Sequence, residues 1–141
     1  MSEQSHPRSY IRVREVMTDS PQTINGLASV RTAIDQMRDA RVSSLIIARR
    51  FEGDEYGLLS VHDIAAEVIA KERSPERVSV YEIMSKPVLT VHADMAVKYA
   101  IRLLTRFRLT RGLVVERGEM VGIVTLRDMA IRYSAPEEPT E

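Results

Sequence analysis

Two short clusters carry most of the polar chemistry in this 141-residue chain. Ser60 stands three positions before Asp63, and Thr125 stands three positions before Asp128. A hydroxyl followed at that distance by an acid suits the first turn of a helix. The hydroxyl accepts from a free backbone N–H, and the acid reaches back to the N–H at the start, as in a capping box. The same place gathers unpaired N–H donors and the positive end of the helix dipole, which draw anions. Capping and ligand contact are therefore both open to these residues, and one acid can serve both. Other chemistry has less to stand on. There is no cysteine, which excludes disulfides, thiolate nucleophiles and thiolate-held metal, and fits a reducing compartment. His6, His62 and His92 have no metal-ligand spacing. No Ser–His–Asp order, paired acid–base carboxylates or glycine-rich phosphate loop stands out.

The elements that must position these clusters come as a duplication. Val13, Glu15 and Met17 recur as Val80, Glu82 and Met84. Thr23 recurs as Thr90, and Arg41 as Arg108. Val30, Ala33 and Ile34 recur as Val97, Ala100 and Ile101. All these pairs lie 67 positions apart. The offset then falls to 65 for Gly57, Asp63 and Ala65, which recur as Gly122, Asp128 and Ala130. The two residues are lost from the charged stretch 49–55, where a surface hairpin tolerates deletion.

Each copy predicts the order β-α-β-β-α. Stretches 22–24 and 88–91 follow a proline and read as extended. Val30, Ala33, Ile34 and Met37 fall at helical spacing, as do Val97, Ala100, Ile101 and Leu104. Ser29 suits the first helix as N-cap. Branched runs at 45–48 and 113–115 read as buried strands, joined by hairpins to 57–59 and 121–124. Helices are expected over 61–71 and 126–133. Met17 and Met84 read as core fillers. Residues 73–79, with Pro75 and several charges, read as a linker. The end of the chain, 134–141, with prolines among acids, reads as a disordered tail.

Charge narrows the function. Lys plus Arg number 20, as do Asp plus Glu, so the formal net charge is zero. Such balance gives no global pull toward nucleic acid or anionic membrane. Locally, Lys98, Arg102, Arg106, Arg108, Arg111 and Arg117 face only Glu116 over 98–117, which reads as a solvated helix face or, less simply, a polyanion patch. No apolar run is long enough for a membrane span, and the first residues lack a signal-peptide core. The expectation is a soluble, cytoplasmic protein.

The entry motifs VREVMTDSPQTI and VYEIMSKPVLTV, the strands RVSSLIIA and RLTRGLVV, and the closures GLLSVHDI and GIVTLRDM together resemble the CBS domain family. The closures look like the family's G-h-h-[ST]-x-x-D-h pattern, where h is apolar. The resemblance covers residues 13–133. It implies an α/β (α+β) fold of two tandem β-α-β-β-α repeats, 13–72 and 80–133, after an N-terminal arm at 1–12. The repeats would pack through their sheets with pseudo-two-fold symmetry, as a Bateman module.

The same resemblance implies a regulatory, non-enzymatic module whose inter-repeat clefts bind an adenosyl ligand such as AMP, ADP, ATP, NAD or S-adenosylmethionine. It would act as a homodimer and signal to an effector protein. By position, Ser60 with Asp63 and Thr125 with Asp128 would hold ribose. Adenine would lie along Thr23, Ile24, Ser44, Leu45 and Ile46 in one repeat, and along Thr90, Val91, Gly112, Leu113 and Val114 in the other. The chemistry agrees, because a carboxylate can accept from both vicinal hydroxyls of a ribose. An acid at the helix start partly cancels the dipole's pull on phosphate, so further cations are needed. Arg127 and Arg111 are candidates in the second repeat. Their counterparts are the imidazole of His62 and the uncharged Ser44. The second repeat is expected to be the better phosphate site. A ligand-free dimerisation scaffold, and nucleic-acid binding, stand as alternatives.

Overall fold

In chain order the elements of the computed structural model, which describes residues 11–134, are α1 (Val13–Val16), β1 (Thr18–Asp19), β2 (Thr23–Ile24), α2 (Val30–Ala40), β3 (Ser44–Ile47), β4 (Gly57–Ser60) and α3 (Val61–Ile64). A π-helical turn over Ala65–Ile69 and a 3-10 turn at Pro75–Arg77 lead to α4 (Val80–Ile83), β5 (Thr90–His92), α5 (Val97–Arg106), β6 (Arg111–Glu116), β7 (Glu119–Thr125) and α6 (Leu126–Ser134). The expected arm and tail lie almost wholly outside the described residues. Among the described residues, no helix is long and apolar enough to cross a membrane.

Each repeat opens on a short helix, α1 or α4, that apolar spacing does not announce. The repeated glutamates account for it. Glu15 accepts from the Arg12 N–H at 2.9 Å, and Glu82 accepts from the Ser79 N–H at 2.9 Å. Each acid thus satisfies a donor that a helix start leaves free. Another repeated residue, arginine at the end of the next helix, takes the left-handed conformation in both copies: Arg41 has φ 59° and Arg108 has φ 58°.

The packing units do not coincide with the sequence repeats. One unit, the central one, is Pro21–Val88. The other, the terminal one, joins the described parts of Met1–Ser20 and Leu89–Glu141. The central unit's sheet has the order β2-β3-β4, with β2 parallel and β4 antiparallel to β3. The terminal unit's sheet has the order β1-β7-β6-β5, with β5 parallel to β6 and the other neighbours antiparallel. The entry segments are exchanged between the repeats. Val80 and Val78 lie in the central unit's core with Val30, Leu45, Leu59 and Val68. Ile11 and Val13 lie in the terminal unit's core with Val91, Val97, Leu104, Val114 and Met129. Residues 73–79, which join the repeats in sequence, therefore run into the central unit, where the Val78 carbonyl accepts from the Val30 N–H at 2.8 Å.

The closing glycines permit this exchange. After α1 the chain pairs Thr18 with Ile123 and Asp19 with Gly122; after α4, Ser85 pairs with Leu58. A Cβ at Gly122 would lie 2.7 Å from Met17 Sδ and 2.8 Å from the Thr18 carbonyl. A Cβ at Gly57 would lie 2.8 Å from Met84 Sδ and 3.3 Å from the Ser85 carbonyl. At Gly122 only glycine allows so close a backbone approach, whereas at Gly57 the tightest neighbour is the end of the Met84 side chain.

The helix expected over 61–71 changes character at Ala65. The Ala70 N–H reaches the Ala65 carbonyl at 2.8 Å, a π-type bond, and Ile64 and Val68 both remain buried. The matching helix α6 is uninterrupted.

Gly122→Ala is expected to cost about 1–3 kcal/mol, as overpacking does, and to lower the melting temperature. Met84→Ala should recover most of the loss from Gly57→Ala. Met17→Ala should recover less of the loss from Gly122→Ala, because the Thr18 carbonyl cannot retreat. Double-mutant cycles by denaturant unfolding measure both, and strictly additive losses would contradict the packing described.

Candidate functional site

The two hydroxyl–acid clusters stand where a closing strand becomes a helix, and the backbone fixes that corner alike in each unit. The Val61 N–H donates to the Ser43 carbonyl at 3.0 Å, and the Leu126 N–H donates to the Thr110 carbonyl at 2.7 Å. The residue after each of those carbonyls pairs with the hydroxyl: Ser44 opposite Ser60, and Arg111 opposite Thr125. Each candidate set thus lies wholly within one unit.

Register sorts the candidates by face. Directly paired residues share a face, and alternate residues along a strand point oppositely. Thr23 pairs with Ile46, and Ser44 with Ser60, so these four share the face turned from the helix-side core. Thr90 pairs with Leu113, and Arg111 with Thr125, giving the same face in the terminal unit. Ile24, Leu45, Val91 and Val114 turn into the cores. A Cβ at Gly112 would lie 3.5 Å from Leu104 Cδ2, also inward. Toward a ligand on that other face, where Thr23 and Thr90 are exposed but Ile46 and Leu113 are buried, those five positions offer backbone alone.

The acids differ in what already engages them. In the central unit the capping box is closed. Ser60 Oγ accepts from the Asp63 N–H at 3.1 Å, and Asp63 Oδ2 accepts from the Ser60 N–H at 3.0 Å. In the terminal unit Thr125 Oγ1 accepts from the Asp128 N–H at 3.0 Å. Among the described residues no N–H returns a bond to the Asp128 carboxylate, whose neighbour is the Arg127 guanidinium at 3.8 Å. Cations are unequal too. Arg127 is largely exposed, and Arg111 is half-buried with its Nε buried and unpartnered. A buried guanidinium N–H without an acceptor is costly, and an anion's oxygen would remove that cost. The counterparts His62 and Ser44 offer the central unit an exposed imidazole and a hydroxyl.

One cluster is not visible in the sequence. Arg14 on α1 donates to Asp94 through Nε at 3.1 Å and through a terminal nitrogen at 2.7 Å, and to Glu116 at 2.8 Å. These bonds hold the Asp94 and Glu116 carboxyls below their usual range and raise the guanidinium above its own. Arg14 has no counterpart among the repeated residues, so duplication gives no signal for it.

A pair of similar α/β repeats, each closing on a hydroxyl, an acid and a glycine-borne strand, defines the class. The chain belongs to the CBS domain family: the model described as "CBS domain" matches residues 13–70 and 80–134. It is 32% identical over 121 residues to the uncharacterized protein MK0525 of Methanopyrus kandleri, covering 82% of this chain and 57% of that one, so it spans little more than half of that relative's length. A hexameric CBS-CP12 protein from bloom-forming cyanobacteria is similar at 32% identity and a TM-score of 0.84, covering 88% of this chain and 72% of that one. Two further structures, each at 22% identity, share the fold. The CBS domain protein PAE2072 from Pyrobaculum aerophilum, complexed with AMP, has a TM-score of 0.74 and covers 84% of this chain and 89% of its own. The CBS domain pair of MJ0100, in complex with 5-methylthioadenosine and S-adenosyl-L-methionine, has a TM-score of 0.75 and covers 88% and 96%.

The unequal engagement of the acids has a measurable consequence. Asp63→Ala removes the return bond of the box and is expected to cost about 1 kcal/mol. Asp128→Ala should change stability by less than about 0.5 kcal/mol. Equal melting-temperature losses for the two variants would contradict the asymmetry.

Proposed function

We propose that this chain is a regulatory module that binds an adenine nucleotide or related adenosyl ligand at the closing corner of a unit and signals its occupancy to a partner protein. The reading rests most on one observation: in both units a hydroxyl and an acid follow the same ladder pair at the same corner. In the terminal unit, Thr125 and Asp128 accept from the ribose hydroxyls. The base lies along Thr90 and Leu113 and the backbone at Val91, Gly112 and Val114. Arg111 and Arg127 take the phosphate, the first through its unpartnered N–H. In the central unit Ser60, Asp63, Thr23, Ser44 and Ile46 take the matching roles with the backbone of Ile24 and Leu45, and His62 is the one cation candidate there. AMP, ADP, ATP, NAD and S-adenosylmethionine all carry the required ribose and adenine; the AMP and S-adenosyl-L-methionine bound by two proteins of this fold favour the same class. The module works in the cytoplasm as a homodimer and turns over no substrate. Signalling needs a ligand that binds one arrangement of the protein more tightly than another.

A second reading has its own support in the central unit. Asp63 already spends its carboxylate on the helix start, so that corner serves as scaffold and the terminal unit alone binds.

A thermal-shift panel of the five ligands tests the proposal. A ligand at about 100 times its Kd stabilises by about 2.7 kcal/mol, a readily measured rise. The rise is expected to disappear in Asp128→Ala, and Arg111→Met should abolish the preference for AMP over adenosine. If no ligand moves the melting temperature at millimolar concentration, adenosyl sensing by these compounds is wrong.

A further inference from the structure

Duplication supplies an internal control for surface charge. Helices α2 and α5 are the same element in the two copies, and their outward positions have diverged. Asp35 and Asp39 of α2 correspond to Arg102 and Arg106 of α5, a reversal of sign at both sites. On α2 three of the four charges are answered: Arg38 pairs with Asp35, and Arg31 pairs with Glu76 at 3.0 Å, while Asp39 has no ion pair among the described residues. On α5 they are not. Residues 95–115 contain no acid, and the two flanking acids, Asp94 and Glu116, are both held by Arg14. Among the described residues, Arg102, Arg106 and Arg108 have no ion pair. Arg102 and Arg106 are exposed and stand one helical turn apart. Together with Tyr99 and Leu103 they line a groove of about 340 Å³. Lys98 and Arg102 lie against the Tyr99 ring, at 5.2 and 5.4 Å from its centre.

We infer that this face of α5 is a docking surface for an acidic polypeptide segment whose carboxylates alternate with apolar side chains. Guanidinium forks match carboxylates in geometry, and Leu103 with the Tyr99 ring gives apolar residues a seat between them. A polynucleotide fits less well, since the chain is neutral overall and the patch is one helix about 15 Å long. The inference deepens the signalling half of the proposed function by giving the partner's chemistry. Its test contains no adenosyl ligand, so each can fail alone.

The probe is a fluorescent synthetic peptide alternating glutamate with leucine, titrated with the full chain at low salt. Binding should weaken as salt rises. Arg102→Asp with Arg106→Asp, the residues that α2 carries at the same positions, should weaken it about tenfold without moving the melting temperature. The Gln pair, R102Q/R106Q, serves should the Asp pair misfold. Unchanged binding by the folded variant overturns the proposal. So does tighter binding of single-stranded DNA of equal charge, which would make the face a polyanion site. Binding that emerges only when Glu137, Glu138 and Glu141 are changed to Gln would overturn it too, since the chain's own acidic end would then be the occupant.

Discussion

The fold depends on a close approach between chain segments that a Cβ would crowd. At Gly57 and Gly122 the closing strand of one repeat meets the entry segment of the other, methionine sulfur and carbonyl oxygen included. That approach lets an edge strand add to β7, lets the matching bridge form on β4, and brings Val13 and Val80 into cores that their own repeats do not build. Neither core is complete without a residue from the other copy. Duplication here is therefore a mutual dependence rather than two independent small domains, which agrees with the difficulty of stabilising a core from so short a repeat alone.

The closing corner inherits its geometry from this arrangement. Because the strand before it is pinned on both sides, the hydroxyl, the acid and the ladder partner are held by backbone bonds instead of by mobile side chains. What then differs between the corners is the engagement of each acid. A carboxylate that accepts from its own backbone has given part of its capacity to the helix; one that does not retains it for another donor. Asp63 is the first kind and Asp128 the second. The buried, unanswered N–H of Arg111 adds to the contrast, because low-dielectric surroundings raise the cost of leaving it so.

Surface charge shows how the copies diverged without disturbing the frame. Core positions keep their apolar character across the duplication, since loss of volume or burial of charge is penalised by kilocalories. Exposed helix positions carry little such penalty, and there α2 and α5 have taken opposite signs at two sites. The Arg14 cluster reinforces the difference by engaging the acids at both ends of the basic stretch.

The sequence alone determined the repeat, its β-α-β-β-α order, the slip in the hairpin and the residues of both closing corners. All of these are local, since apolar period, proline position and hydroxyl–acid spacing act within a few residues along the chain. Tertiary structure decided the rest. Val13 and Val80 look alike in sequence, and nothing local says that each belongs to the other copy's core. Ile24, Leu45, Val91 and Val114 stand beside neighbours that point to the other face of the sheet, and only strand register turns their own side chains into the helix-side cores. Arg14 meets Asp94 and Glu116 across separations of 80 and 102 residues. Partnerships of that range are set by which surfaces the folded chain brings together, not by the spacing of residues along it.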